Sequence, residues 1–406
     1  MTTRCIIIGA SHAAAQLSAS LRLEGWLGEI LVIGDEPSLP YHRPPLSKAF
    51  LAGDKAKDDL LIRPQAFYDK NSVVFKTALV TSIDKKDQSV TLDSGESLHY
   101  DKLAICTGAR VRKICFPGSD LAGIHYLRNV ADVERIQQAT KKSKRVVIIG
   151  GGYIGLETAS ALNKMGMDVT VLEMASRILH RVTAPQLSSF YMRVHSEEGV
   201  KIHTNSVMTE MRGNAQVEEV LCEDGSVYPA DIVIIGIGVI PNIELAQQAD
   251  IATNDGILID HFCRTNAPNI YAAGDCTNFF NNHYERRMRL ESVPNASEQA
   301  KVVASSICGG NREYVSLPWF WSDQYDLKLQ IAGLNAGYDQ VLIRGDSDNG
   351  RSFAAFYLKD RKLIAADCVN RPQEFMLSKK VIGQSVEVDP ERLVNESIGV
   401  KELLLS

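Results

Sequence analysis

No two of the eight cysteines in this chain form a C-x-x-C pair; Cys5, Cys106, Cys115, Cys222, Cys263, Cys276, Cys308 and Cys368 are scattered. Zinc, iron–sulfur and dithiol redox motifs therefore find no support. The nine histidines are equally dispersed, with no H-E-x-x-H spacing, so no metal site is expected. No apolar run approaches the ~20 residues needed to cross a bilayer. Basic residues are not in excess: 44 Lys and Arg stand against 49 Asp and Glu, for a net charge of −5 and a pI near 6.0. That balance argues against a nucleic-acid binder. The opening MTTRCIIIGA enters an apolar strand almost at once and leaves no room for the apolar region of a signal peptide, so the expected location is cytoplasmic. What is present is 406 residues, 45% hydrophobic and 23% charged. Those values describe a globular chain of two or three domains.

The stretch Val146 to Glu157, VVIIGGGYIGLE, organises the rest. Four apolar residues run into glycines at 150, 152 and 155, and the helix-forming LETASALNKMG follows. Such a strand, turn and helix needs Gly150 for the turn, Gly152 so that a pyrophosphate can touch backbone, and Gly155 for close helix–strand approach. The helix start, with Ile154 in its first turn, offers free N–H groups and a positive dipole end. A second strand, Val169 to Leu172, ends in Glu173, where a ribose 2′-OH would be held. Residues 4–14, RCIIIGASHAA, repeat the plan with Gly9, Ser11 in place of the second glycine, and Ala14 as the accepted variant of the third. Strand 29–35 then supplies Asp35. Two such units imply two dinucleotides.

Between them, PYHRPPLSKAF at 40–50 is too proline-dense for a regular element and reads as a rigid loop ending in a helix that carries Lys48. Residues 73–98 alternate apolar and polar around an Asp93–Glu96 turn, giving an antiparallel meander ahead of a strand near 100–109. The second unit repeats this order, with a meander at 201–228 and a strand at 232–236. Residues 269–275 form a short strand ending in Gly274-Asp275, and a helix begins near 291–296. From about 317 the texture changes to alternating segments at 327–333, 340–344 and 353–367, then a helical tail near 372–405. The fold class is therefore α/β, with two Rossmann-like dinucleotide-binding domains (1–110 with 240–316, and 111–239) and a C-terminal α+β domain at 317–406.

PPLSK at 44–48, GGGYIGLE at 150–157, GIGVIPN at 236–242, YAAGDC at 271–276, ESVPNA at 291–296 and PWFWSDQY at 318–325 together resemble the NADH-dependent ferredoxin reductases of bacterial oxygenase and P450 systems, on the flavoprotein disulfide-reductase superfold. The resemblance covers essentially the whole chain. It implies FAD in the first unit, in contact with Ala13, Asp35, Lys48, Val80, Arg128, Asp275 and Val293, and NADH in the second. It places Glu157 at the nicotinamide, Lys48 at the flavin and Trp321 beside it. It also implies a [2Fe-2S] ferredoxin as electron acceptor, docked through Arg63, Lys301, Arg312 or Lys401. The helix starting near Pro294 can aim its positive end at the flavin, where negative charge grows on reduction. The Glu173 carboxylate favours NADH over NADPH, with Arg177 nearby as the one counter-charge.

A thiol-dependent relative of the same superfold would need a cysteine near 41–45, where the chain reads YHRPP. Rubredoxin reductase differs only in partner and is the nearer alternative. A non-metabolic flavoprotein of the apoptosis-inducing-factor type is disfavoured by the acidic charge.

Overall fold

The computed structural model describes residues 3–403; the first two residues of the N-terminal segment and positions 404–405 of the expected tail lie outside the described residues. The chain forms two compact units. The first comprises residues up to His42, Asp58–Arg110 and Val239–Pro318; the second comprises Arg43–Lys57, Val111–Gly238 and residues from Trp319 onward.

In the first unit a five-stranded parallel sheet has the order Ile270–Ala272, Lys102–Ile105, Arg4–Ile8, Glu29–Gly34, Val73–Thr77. Its central strands, RCIII and EILVIG, are buried after their first residue. That burial is why they read as continuous apolar runs. Helices His12–Leu23 and Val293–Ile307 pack against one another. Val80–Asp84, Ser89–Leu92 and Ser97–His99 form an antiparallel meander.

The second unit repeats the plan in the order Lys201–His203, Asp168–Leu172, Arg145–Ile149, Ile232–Ile235, Ile124–Tyr126, again parallel, with a meander of Met208–Gly213, Val217–Cys222 and Val227–Pro229. It also holds the C-terminal antiparallel sheet, ordered Trp319–Gln324, Leu327–Gly333, Lys362–Val369, Ser352–Lys359, Gln340–Asp346. Leu156, Leu187, Phe190 and Val194 of the nucleotide half share one core with Leu327, Leu329, Phe353 and Tyr357 of that sheet.

Three expectations need correction. Val73–Thr77 does not open the first meander, nor Lys201–His203 the second; each pairs parallel at the edge of its five-stranded sheet. An edge strand has one neighbour and a wet side, so its sequence alternates like a meander strand. The segment 353–367 is two strands joined at Asp360-Arg361, both at positive φ (49° and 61°). A two-residue turn of that type usually announces itself with Asn or Gly, and here it does not. The tail is broken into Pro372–Gln384, Pro390–Val394 and a short turn at Val400–Glu402. Among the described residues no helix is long and apolar enough to cross a membrane, and no group of His, Cys, Asp or Glu is placed to hold a metal.

Candidate active site

In the first unit the chain turns sharply at Gly9 (φ +102°), where a Cβ would come within 2.2 Å of the Cys106 carbonyl oxygen. Ser11 follows as the N-cap of His12–Leu23 in extended backbone, φ −129°. That conformation needs no glycine, which explains why a side chain is tolerated there. Ala13 and Ala14 are buried in the first turn. Gly274 (φ +91°) faces Ala13 and Ala296, and a Cβ on it would lie 3.6 and 3.8 Å from theirs. The Gly274 N–H and the Thr277 hydroxyl both donate to Gln299 Oε1, at 2.8 and 2.9 Å. Asp275 follows Gly274 directly. Ser292 caps the helix Val293–Ile307, accepting from the Asn295 N–H at 3.3 Å, with proline in the first turn. Two helix N-termini and the Gly274-Asp275 turn thus converge, and the buried Gln299 Nε2 below them has no protein partner. Asp35 stands exposed just past its strand, and Val80 is buried at the start of the meander. These features fit a dinucleotide: amide donors, a dipole end and an orphaned buried donor all favour anionic and polar groups.

Lys48 and Arg128, which the resemblance assigns to the flavin, belong to the second unit. There the loop after Arg145–Ile149 makes the second cradle. A Cβ on Gly150 would reach 2.6 Å from the Gly236 carbonyl oxygen, and one on Gly155 would reach 2.1 Å from that of Gly150, whereas one on Gly152 would meet nothing within 4 Å. Gly152 therefore fronts open space at the N-cap of Tyr153–Lys164, as a phosphate requires. Ile154 is half exposed in the first turn of that helix. Glu173 accepts the Gly151 and Ala175 N–H groups at 2.7 and 2.8 Å, one on each oxygen. Arg177 is occupied with the Ser188 hydroxyl (2.7 Å) and the His180 carbonyl (2.9 Å).

Lys48 and Glu157 form an ion pair in the same unit. Glu157, 5% exposed, accepts from Lys48 Nζ at 2.6 Å. The same carboxylate takes the Ser47 hydroxyl on Oε2 and the Ser322 hydroxyl on Oε1, both at 2.6 Å. PPLSK reaches it through a 3-10 turn, Pro44–Ser47, whose prolines fix φ, while Lys48 Nζ also donates to the Pro44 carbonyl at 3.2 Å. Burying a carboxylate is costly unless it is paired and hydrogen-bonded, and Glu157 has three such partners. Strand Trp319–Gln324 runs along the helix: Phe320 meets the Tyr153 ring edge-on at 5.1 Å, Ser322 meets Glu157, and the Tyr325 N–H donates to Ser160 Oγ at 2.9 Å. Burial holds the Tyr153 phenol well above its ordinary pKa. Trp321, half-buried, lies on the opposite face of that strand from Ser322, its ring tilted against Trp319 at 5.8 Å.

Sequence reasoning missed Ser47, Ser322, Gln324 and His195. Two of the signals were available, because PPLSK and PWFWSDQY were noted for Lys48 and Trp321, and a strand period of two sets Phe320, Ser322 and Gln324 on one face. Of the surface cations considered for docking, Lys301 and Arg312 both pair with Glu298, Arg63 lies over the Phe67 ring at 4.5 Å, and Lys401 is exposed.

Two nucleotide cradles and a Lys–Glu pair with its carboxylate buried, with no cysteine at 41–45, define a pyridine-nucleotide flavoprotein reductase that does not use a thiol pair at that position. The comparisons agree: residues 3–300 match the family model "Pyridine nucleotide-disulphide oxidoreductase" and residues 319–404 match "Reductase C-terminal", and the chain belongs to that family. Putidaredoxin reductase of Pseudomonas putida is 42% identical, the alignment covering 98% of this chain and 96% of that one. A ferredoxin–NAD(P)(+) reductase of a Sphingomonas species is 41% identical, covering 95% and 94%. The crystal structure of the covalent putidaredoxin reductase–putidaredoxin complex superposes with a TM-score of 0.96 at 40% identity, covering 99% of this chain and 98% of that one.

Proposed function

We propose that this chain is an FAD-dependent NADH:ferredoxin oxidoreductase that passes single electrons to a [2Fe-2S] ferredoxin, itself serving a P450 or a ring-hydroxylating oxygenase in the cytoplasm. The observation that carries the reading is the ion pair of half-buried Lys48 with buried Glu157, whose carboxylate also accepts from Ser47 and Ser322 beside the second nucleotide cradle.

FAD, when bound, supplies the conversion of a hydride equivalent from NADH into single electrons. Gly9, Ser11, Ala13, Ala14, Asp35, Lys48, Val80, Arg128, Asp275 and Val293 are the residues that would hold it. Gly150, Gly152, Ile154, Gly155 and Glu173 would hold NADH. Glu157 orients Lys48, whose ammonium is a fixed positive charge on a proline-stiffened turn, and positioning of this kind supplies most of the rate in cofactor chemistry. Trp321 would shield the flavin or line the electron's exit.

The test is direct. The purified protein should be yellow and should drive NADH-dependent cytochrome c reduction only when a [2Fe-2S] ferredoxin is added. A colourless protein overturns the reading; activity with rubredoxin but not ferredoxin reassigns the partner.

A further inference from the structure

Behind Ser322 the polar contacts continue into the core. Gln324 Nε2 donates to Ser322 Oγ at 3.2 Å, Gln324 Oε1 meets His195 Nε2 at 2.8 Å, and His195 Nδ1 meets the Tyr325 hydroxyl at 3.0 Å. Ser322, Gln324 and His195 are all at most 2% exposed. The direction of every bond is fixed from one end. A carboxylate paired with an ammonium can only accept, so Ser322 must donate to it and use its lone pair for the Gln324 amide. That turns Gln324 Oε1 toward His195, which must carry its proton on Nε2 and leave Nδ1 to accept from Tyr325.

We infer that Ser322, Gln324 and His195 are positioning residues for Glu157: a one-way hydrogen-bond chain, Tyr325 to His195 to Gln324 to Ser322 to Glu157, locks the carboxylate in the rotamer that presents Lys48. Ser322 and Gln324 come from strand Trp319–Gln324, Tyr325 from the turn that follows it, His195 from helix Pro185–Glu197 and Glu157 from helix Tyr153–Lys164. An aligned chain of this kind strengthens each of its bonds. Burial keeps His195 neutral, its pKa lowered to about 4, so the chain keeps its direction at neutral pH. The charged and titratable groups facing it include Lys48, Tyr153 and Tyr191 around Glu157, Glu198 beside His195, and Glu198 and Arg351 near Tyr325. The kinetic part of the inference rests on the reductase reading; the proton on His195 does not.

Two measurements test it. In protein labelled with 15N-histidine, the His195 signal, assigned with His195→Gln, should report a neutral ring with its proton on Nε2 at pH 7. In Ser322→Ala the Gln324 amide loses its acceptor and is free to flip, so a mixture of tautomers should replace that single form. In the FAD-loaded enzyme, Ser322→Ala should lower kcat for NADH-driven dye reduction about tenfold while KM for NADH changes less than about twofold, and Ser322→Thr, which keeps the hydroxyl, should restore most of it. A proton on Nδ1 in the parent protein, or a folded, flavin-replete Ser322→Ala with unchanged kcat, overturns the proposal. A parent protein that ignores NADH but has the Nε2 tautomer would sink the reductase reading and leave the chain standing.

Discussion

At Glu173 each carboxylate oxygen already accepts one backbone N–H, from Gly151 and Ala175, and keeps a lone pair for a ribose hydroxyl. The residue therefore shapes the glycine loop, and in the proposed function it would also read the nucleotide. Glu173→Ala should raise KM for NADH about tenfold, a loss of roughly 1.4 kcal/mol, with kcat little changed. NADPH should gain little from the change, because Arg177 is held by Ser188 and the His180 carbonyl. Steady-state kinetics with both nucleotides checks this, and an unchanged KM for NADH would remove Glu173 from the binding site. The sequence singles this position out by its distance to the glycine loop, as an expectation about the ribose. Its task in the loop is not legible there, because a residue's backbone partners depend on a loop path that spacing does not specify.

Among the elements, the buried parallel strands announced themselves as apolar runs, and the glycine loops stood out by their spacing. Edge strands Val73–Thr77 and Lys201–His203 hid among the meanders, since one wet side gives them the same alternation. The packing of Trp319–Gln324 on helix Tyr153–Lys164 was hidden for a different reason: those two elements lie far apart in the sequence, and nothing local specifies which helix a strand will meet. The second unit also buries two groups with opposite responses to acid, His195 and Asp367. His195, lowered to about 4 by burial, is neutral in the folded chain at pH values where the unfolded chain is protonated, so its contribution to stability is lost as pH falls from 6.5 through 4. Asp367, raised by burial to about 6, accepts the Tyr357 and Thr183 hydroxyls at 2.5 and 2.8 Å. It binds its proton more tightly when folded, so its contribution is lost as pH rises from 3.8 through 6. Each effect is on the order of 3 kcal/mol and they oppose one another between about pH 4 and 6. Asp367→Asn should therefore make Tm fall more steeply on acidification, and His195→Gln should make Tm hold or rise. Thermal melts from pH 4 to 7 decide the matter; parallel curves for both variants and the parent would contradict these linkages.

For the molecule as a whole, a net charge of −5 disfavours an acidic partner, so attraction must come from a local cationic face. Lys301 and Arg312 share Glu298 and leave one positive charge in excess there. Ferredoxin reduction should slow as ionic strength rises from about 20 mM to about 0.5 M, while turnover with an uncharged quinone stays flat. Glu298→Gln, by unmasking both cations, should steepen that dependence. Stopped-flow rates over a salt series would check both, and a salt-independent rate would rule out steering by this face.

Residues 320, 322 and 325 meet 153, 157 and 160 in step, so the terminal module completes the nucleotide half and is no passive appendage. Anyone building a chimera from this scaffold inherits a rule from that pairing. A transplanted tail must bring a hydroxyl-bearing side chain opposite Glu157, or the graft will fold around an anion stripped of one of its donors.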